Sequence, residues 1–60
     1  MGVHIVYVGG RPHDVSTYQR RKTVWVASGE YDGERLIQEG RSETSALRAW
    51  EDIADYRMKK

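Results

Sequence analysis

The stretch Gly9–Lys22 reads GGRPHDVSTYQRRK, and whether it is a connection or part of a sheet sets the strand count of this chain. It opens on two glycines, which punctuate extended structure. Pro12 follows, and His13–Asp14 suits a turn. Gly9 to Thr17 is therefore predicted as loop. From Tyr18 the pattern turns extended and stays so through TVWVAS, giving one predicted strand over residues 18–31.

Working outward, VHIVYV (Val3–Val8) is apolar and rich in β-branched residues, the signature of a strand over 3–8. Asp32–Gly33 is a hairpin signal between two extended runs, so a third strand is predicted over 34–40. Centring the turn there pairs Tyr31 with Glu34, and Glu30 with Arg35, an opposite-charge cross-strand contact. From Ser42 the period changes. Ala46, Leu47, Trp50, Ile53 and Ala54 recur at helical spacing, Ser42 is a good N-cap, and Glu43 suits the positive end of the helix dipole. These features predict a helix over 43–58.

The expected fold is α+β, in β-β-β-α order: one C-terminal helix on a three-stranded antiparallel sheet. Sixty residues make one domain, 1–60. A chain this short buries only about 60% of its unfolded surface and usually gains from a staple. It has no cysteine, which excludes disulfides and thiolate zinc sites and fits a reducing, cytoplasmic setting. A homodimer is another way to gain burial. No apolar run approaches the roughly 20 residues of a membrane span, and MGVHIV lacks the apolar core of a signal peptide. No membrane association is expected.

Net charge is +1 but unevenly spread. Residues 9–22 carry four basic groups against Asp14, while residues 42–56 carry four acidic groups against Arg48. The near-neutral total argues against strong non-specific nucleic-acid binding, yet leaves room for a local basic patch. His4 and His13 are far apart and lack metal-ligand spacing, so no metal and no cofactor are expected. There is no HExxH, no Ser-His-Asp order and no phosphate-binding glycine loop. An enzyme is not expected.

The predicted hairpin register divides the apolar residues between two faces. Val24, Val26, Ser28, Ile37 and Glu39 share one; Arg21, Thr23, Trp25, Ala27, Tyr31, Leu36 and Gln38 share the other. One helix covers one face only. The choice between the faces stays open, leaning slightly to Val24, Val26 and Ile37 inside: exposed β-branched residues are ordinary in a sheet, and an exposed Trp25 is less ordinary unless it has work to do. Gly29 could place a bulge that scrambles these sets.

Two functions from different classes follow. A nucleic-acid-binding or regulatory module would place Arg11, His13, Arg20, Arg21 and Lys22 on phosphates of DNA or RNA, with Trp25 stacking on a base. A protein-binding accessory or inhibitor protein would use Trp25, Tyr31 and Leu36, or the acidic helix residues Glu51, Asp52 and Asp55. Composition does not decide between them.

The loop GGRPH, with Pro12 and His13, and the helix entry GRSETSAL, with Gly40, Ser42 and Ala46, resemble the later part of a double-stranded-RNA-binding domain. That resemblance implies a loop touching a minor groove and a helix entry lying on phosphates. The lysine positions of that entry hold Glu43, Thr44 and Leu47 here. The hairpin-plus-helix unit also resembles HicB-type antitoxins and the three-stranded DNA-reading domains of phage integrase arms and plant ethylene-response factors. In the last two the resemblance implies a sheet entering the major groove, with Arg21 and Trp25 as readers.

Overall fold

The computed structural model of the protein describes residues 2–58. Four strands and one helix follow in order: β1 (Gly2–Val8), β2 (Arg11–Arg21), β3 (Val24–Tyr31), β4 (Glu34–Gly40) and α1 (Glu43–Met58). The strands form one antiparallel meander in the order β1-β2-β3-β4. The α+β class and the C-terminal helix are as predicted. The sheet has four strands rather than three, and the difference lies in the opening stretch.

Gly9 and Gly10 have φ of 61° and 80° and join Val8 to its partner Arg11. Two positive φ values in a two-residue loop make a type I′ turn, whose twist matches that of the flanking strands. The glycines thus form a hairpin, and the segment predicted as loop is the first half of β2. Pro12 is tolerated there because of its register. It lies opposite Tyr7, one position from the hairpin-closing pair, where a strand residue makes no backbone bond to its neighbour. On its other side, pairing with β3 begins only at Val15. No ladder bond is lost to the missing N–H.

The single strand predicted over 18–31 is interrupted at Lys22–Thr23, where the chain turns. Neither residue has positive φ, so this is not a I′ turn. The register shifts between Gln19 and Arg21, a bulge that reconciles the turn with the strand twist. The Gln19 amide Nε2 donates to the Lys22 carbonyl at 3.0 Å and clamps the reversal. The irregularity sits here and not at Gly29, which pairs in regular register with Val15 and Leu36. The last hairpin is as predicted: Asp32 and Gly33 (φ 53° and 81°) form another I′ turn, with Tyr31 opposite Glu34 and Glu30 opposite Arg35.

Helix α1 starts as expected. The Ser42 Oγ accepts from the Ser45 N–H at 3.2 Å, the N-cap bond that satisfies an orphan donor. The helix buries Ala46, Trp50 and Ala54 against Val8, Val15, Ala27 and Leu36. It therefore covers the Trp25–Ala27–Leu36 face, and the favoured choice made from the sequence is reversed. Close approach decides it. A Cβ on Gly29 would sit 3.1 Å from the Trp50 Cζ2, and one on Gly40 would sit 2.5 Å from the Ala46 backbone nitrogen. A helix backbone and an indole fit over glycine and alanine; they do not fit over valine and isoleucine. The indole N–H donates to the Leu36 carbonyl at 3.0 Å, so the one polar atom of the buried ring is satisfied.

Candidate interaction surfaces

Alternation carries each strand residue to one of two faces. On the helix side, Trp25 and Tyr31 are half-buried and packed against the core, and Leu36 is only 5% exposed. The open aromatic face expected around Trp25 is thus the covered one. Leu36 is part of the core and has no surface for a partner. Arg21 does not share a face with Trp25 either. The bulge pairs Arg21 with Val24, while Trp25 pairs with Gln19.

The basic residues of the opening stretch separate into two groups. Arg11 and His13 stand at the start of β2, and Arg20, Arg21 and Lys22 at its end. At about 3.3 Å per residue these groups lie roughly 30 Å apart, along the 34 Å long axis of the molecule. The half-buried His13 ring lies 5.1 Å from the Tyr31 ring and 6.0 Å from the Trp50 ring. Arg11 joins them at the rim of a recess completed by Arg57 and Met58. At the other end, Arg20 is held by Glu39 at 2.7 Å. Arg21, Lys22 and Arg41 are exposed around the turn, with Thr23, Val24, Gly40 and Arg41 lining a second recess. None of the three has an ion-pair partner among the described residues.

Of the acidic helix residues, Glu51 and Asp52 are exposed and Asp55 is half-buried. They line a polar recess beside Tyr7, Val8 and Gly9. No group of three or more His, Asp or Glu side chains is placed to hold a metal among the described residues, and no described helix is long and apolar enough to cross a membrane.

One polar cluster ties the elements together. The Glu43 carboxylate, in the first turn of α1, accepts from the buried Thr17 hydroxyl at 2.7 Å and lies 2.9 Å from His4 Nε2. The Thr17 hydroxyl, and then His4, hold the Glu43 carboxyl below the usual glutamate range. The cluster joins β1, β2 and α1 and has a structural logic: it satisfies a fully buried hydroxyl and fastens the start of the helix to the sheet.

An uncovered face was expected, and it is the Val26–Ile37 side of the sheet, extended by β1. It carries Val3, Ile5 and Tyr7 from β1, Tyr18 from β2 and Ile37 from β4, all exposed, with Val3 at 70%. Ser16, Ser28 and Asp14 lie between the β1 residues and Ile37. Val26, between Tyr18 and Glu39, is buried without help from the helix. The sequence signal for this face was indirect. It lies in where the small residues are, not in where the large ones are.

The fold and surfaces define a small four-stranded α+β domain with one face covered and one open. Comparison with known proteins finds no match, whether among family models, curated proteins or solved structures.

Proposed function

We propose that the chain is a non-enzymatic protein-binding module whose working surface is the uncovered face of its sheet. The observation that carries this reading is the set of five exposed large apolar side chains on that face, Val3, Ile5, Tyr7, Tyr18 and Ile37. Val3, Ile5 and Tyr7 form one apolar stripe along β1, with Ile37 separated from it by Ser16 and Ser28 on the same face, and tyrosines among aliphatic residues suit a protein interface. The stacking role first considered for Trp25 loses support, since that ring packs on the core.

Site-specific photo-crosslinking in cells tests it. A crosslinker at Tyr18 or Ile37 should give a discrete protein adduct, and one at the outward helix position Glu51 should not. Adducts of equal yield at all three positions, or none at the sheet positions, would remove the reading.

A second reading keeps one observation in its favour: Arg21 and Lys22 at the β2–β3 turn, and Arg41 in the recess lined by Thr23 and Val24, have no ion-pair partner among the described residues. Three phosphate contacts predict that log K falls with log salt at a slope of about −3. Arg21→Ala should lower that slope by about one. Nucleic-acid affinity that ignores salt, or is absent at low salt, sinks it.

A further inference from the structure

The sheet has two free edges, β1 and β4, and they are treated differently. In β4 the residues alternating with the hairpin-closing position are Arg35, Ile37 and Glu39. Two of the three are charged, and each is engaged: Arg35 lies 3.8 Å from Glu30, and Glu39 2.7 Å from Arg20. Glu34 is tied to Arg57 of the helix. Charged side chains and an overhanging helix are the devices by which proteins protect a free edge. Strand β1 has neither charge nor proline from Gly2 to Val8, and its register with β2 is unbroken.

The I′ turn fixes which β1 groups are free. Val8 and Arg11 close the hairpin as a hydrogen-bonded pair, so Val6, His4 and Gly2 also bond to β2, and Tyr7, Ile5 and Val3 do not. The N–H and C=O groups of Tyr7, Ile5 and Val3 therefore point out from the free edge. These are also the three β1 side chains exposed on the uncovered face, at 62%, 61% and 70%. One set of residues presents both an unpaired backbone ladder and an apolar stripe.

We propose that β1 pairs antiparallel with β1 of a second copy of this chain, about a two-fold axis at Ile5, to make a continuous eight-stranded sheet. The proposal rests on the reading of the uncovered face as a protein interface and names a second copy as the partner of its β1 stripe, leaving Tyr18 and Ile37 outside the seam. Three features of β1 select a second copy. The apolar stripe is symmetric about Ile5: the two-fold sets Ile5 against Ile5 and Val3 against Tyr7, so every exposed apolar residue meets another. The same register makes these the hydrogen-bonded pairs and closes about six backbone bonds across the seam. The strand has no Lys, Arg, Asp or Glu, and the same register sets His4 against Val6, so two copies meet without like-charge contact. The acidic recess of Glu51, Asp52 and Asp55 adjoins Tyr7–Gly9, and the two-fold sends the two recesses to opposite ends of the seam. The Tyr7 positions alone are then roughly 13 Å apart, beyond the Debye length of about 8 Å at physiological salt. The seam is small against the roughly 800 Å² per partner of a standard interface, so the dimer is a weak one.

Sedimentation equilibrium on the full chain tests the proposal. The weight-average mass should rise from one chain mass toward two between about 1 µM and 1 mM. Ile5→Lys places two like charges at the axis and should weaken association at least about tenfold. Ile37→Lys, at the same position of the other edge, should leave it unchanged. Amide exchange on the wild-type chain needs no variant: the N–H groups of Val3, Ile5 and Tyr7 should slow as concentration rises, while those of Ile37 and Glu39 should not. A mass that stays at one chain up to 1 mM overturns the proposal, as does association lost in Ile37→Lys but kept in Ile5→Lys. A monomer that still crosslinks a different protein from Tyr18 or Ile37 would defeat the dimer alone and leave the broader reading standing.

Discussion

On the helix side of the sheet, Ala27, Gly29 and Gly40 leave room for a helix backbone and for the Trp50 indole. On the other side, Val3, Ile5, Tyr7, Tyr18 and Ile37 stand out into solvent. The two faces come from the same strands and differ by one residue of register, and both carry large apolar side chains; only the covered face also carries the small residues that let a helix approach. The difference shows how so small a core is built. One large ring on the helix fills the space that small residues on the sheet leave open. Val8, Val15 and Leu36 close the core around that ring, while Val3, Ile5, Tyr7, Tyr18 and Ile37 are left on the opposite surface. Substitutions on the covered face should cost stability, and substitutions on the open face should cost binding.

The sharpest way to break this contrast is at the ring itself. Trp50 is fully buried, touches the Gly29 position and bonds the Leu36 carbonyl. Trp50→Ala should cost about 3–5 kcal/mol, a large part of what a 60-residue domain has. Urea unfolding should show the chain mostly unfolded without denaturant. A stable, cooperative Trp50→Ala variant would mean that the helix is not what closes the core.

The next effect is smaller and more specific. A Cβ at Gly29 would lie 2.9 Å from the Asp14 carbonyl and 3.1 Å from the Trp50 ring. Backbone on one side and a packed indole on the other leave little room to yield, so Gly29→Ala should destabilise by about 1–3 kcal/mol. Alanine in place of a strand glycine would ordinarily stabilise, so even the sign is diagnostic. A gain in stability on thermal unfolding would show that the indole does not rest on Gly29.

Gly29 also shows what was legible in the sequence and what was not. The Asp32–Gly33 hairpin, its register, the Ser42 cap and the span of the helix all follow from local chemistry, and all are found. The helix-covered face does not follow from counting apolar residues, because both faces have them. It follows from Gly29, Gly40 and Ala27 lying on one side. The strand count was lost at two turns that mislead in opposite ways. Gly9–Gly10 carries a I′ hairpin signal, obscured by Pro12, whose harmlessness depends on its register. Lys22–Thr23 carries no turn signal, because its residues keep negative φ and a bulge absorbs the misfit. The site expectations followed charge and aromaticity. They did not include β1, because its place at a free edge is a property of topology.

A third test addresses the join between the faces and the helix. The Glu43 carboxyl is lowered by Thr17 and His4, so its folded-state value lies below that of the unfolded chain. Such a group contributes stability that is fully present above the unfolded value and is lost as pH falls through the folded one. Stability measured by denaturant should decline on acidification through and below the usual glutamate range. Glu43→Gln, which cannot ionise, should flatten part of that decline. An unchanged slope in the variant would mean that other carboxylates carry the acid sensitivity.

The smallest expected effect is the most telling about the open face. Ile37 is 56% exposed on β4, the edge opposite the proposed β1 seam, so it stays solvated in the monomer and in the dimer alike. Its transfer contribution is partial, and surface substitutions away from special features usually fall within about 0.5 kcal/mol. Ile37→Thr keeps a β-branched strand former and should lie inside that range by chemical unfolding, at any protein concentration. It should at the same time reduce crosslinking to a protein partner from Tyr18. A loss of about 2 kcal/mol or more would mean that Ile37 is covered in the folded chain in solution, and the contrast between a closed face and an open one would fail at that position. A neutral effect on stability together with a loss of partner adducts is the pattern expected of a side chain that contributes to binding beyond its strand propensity.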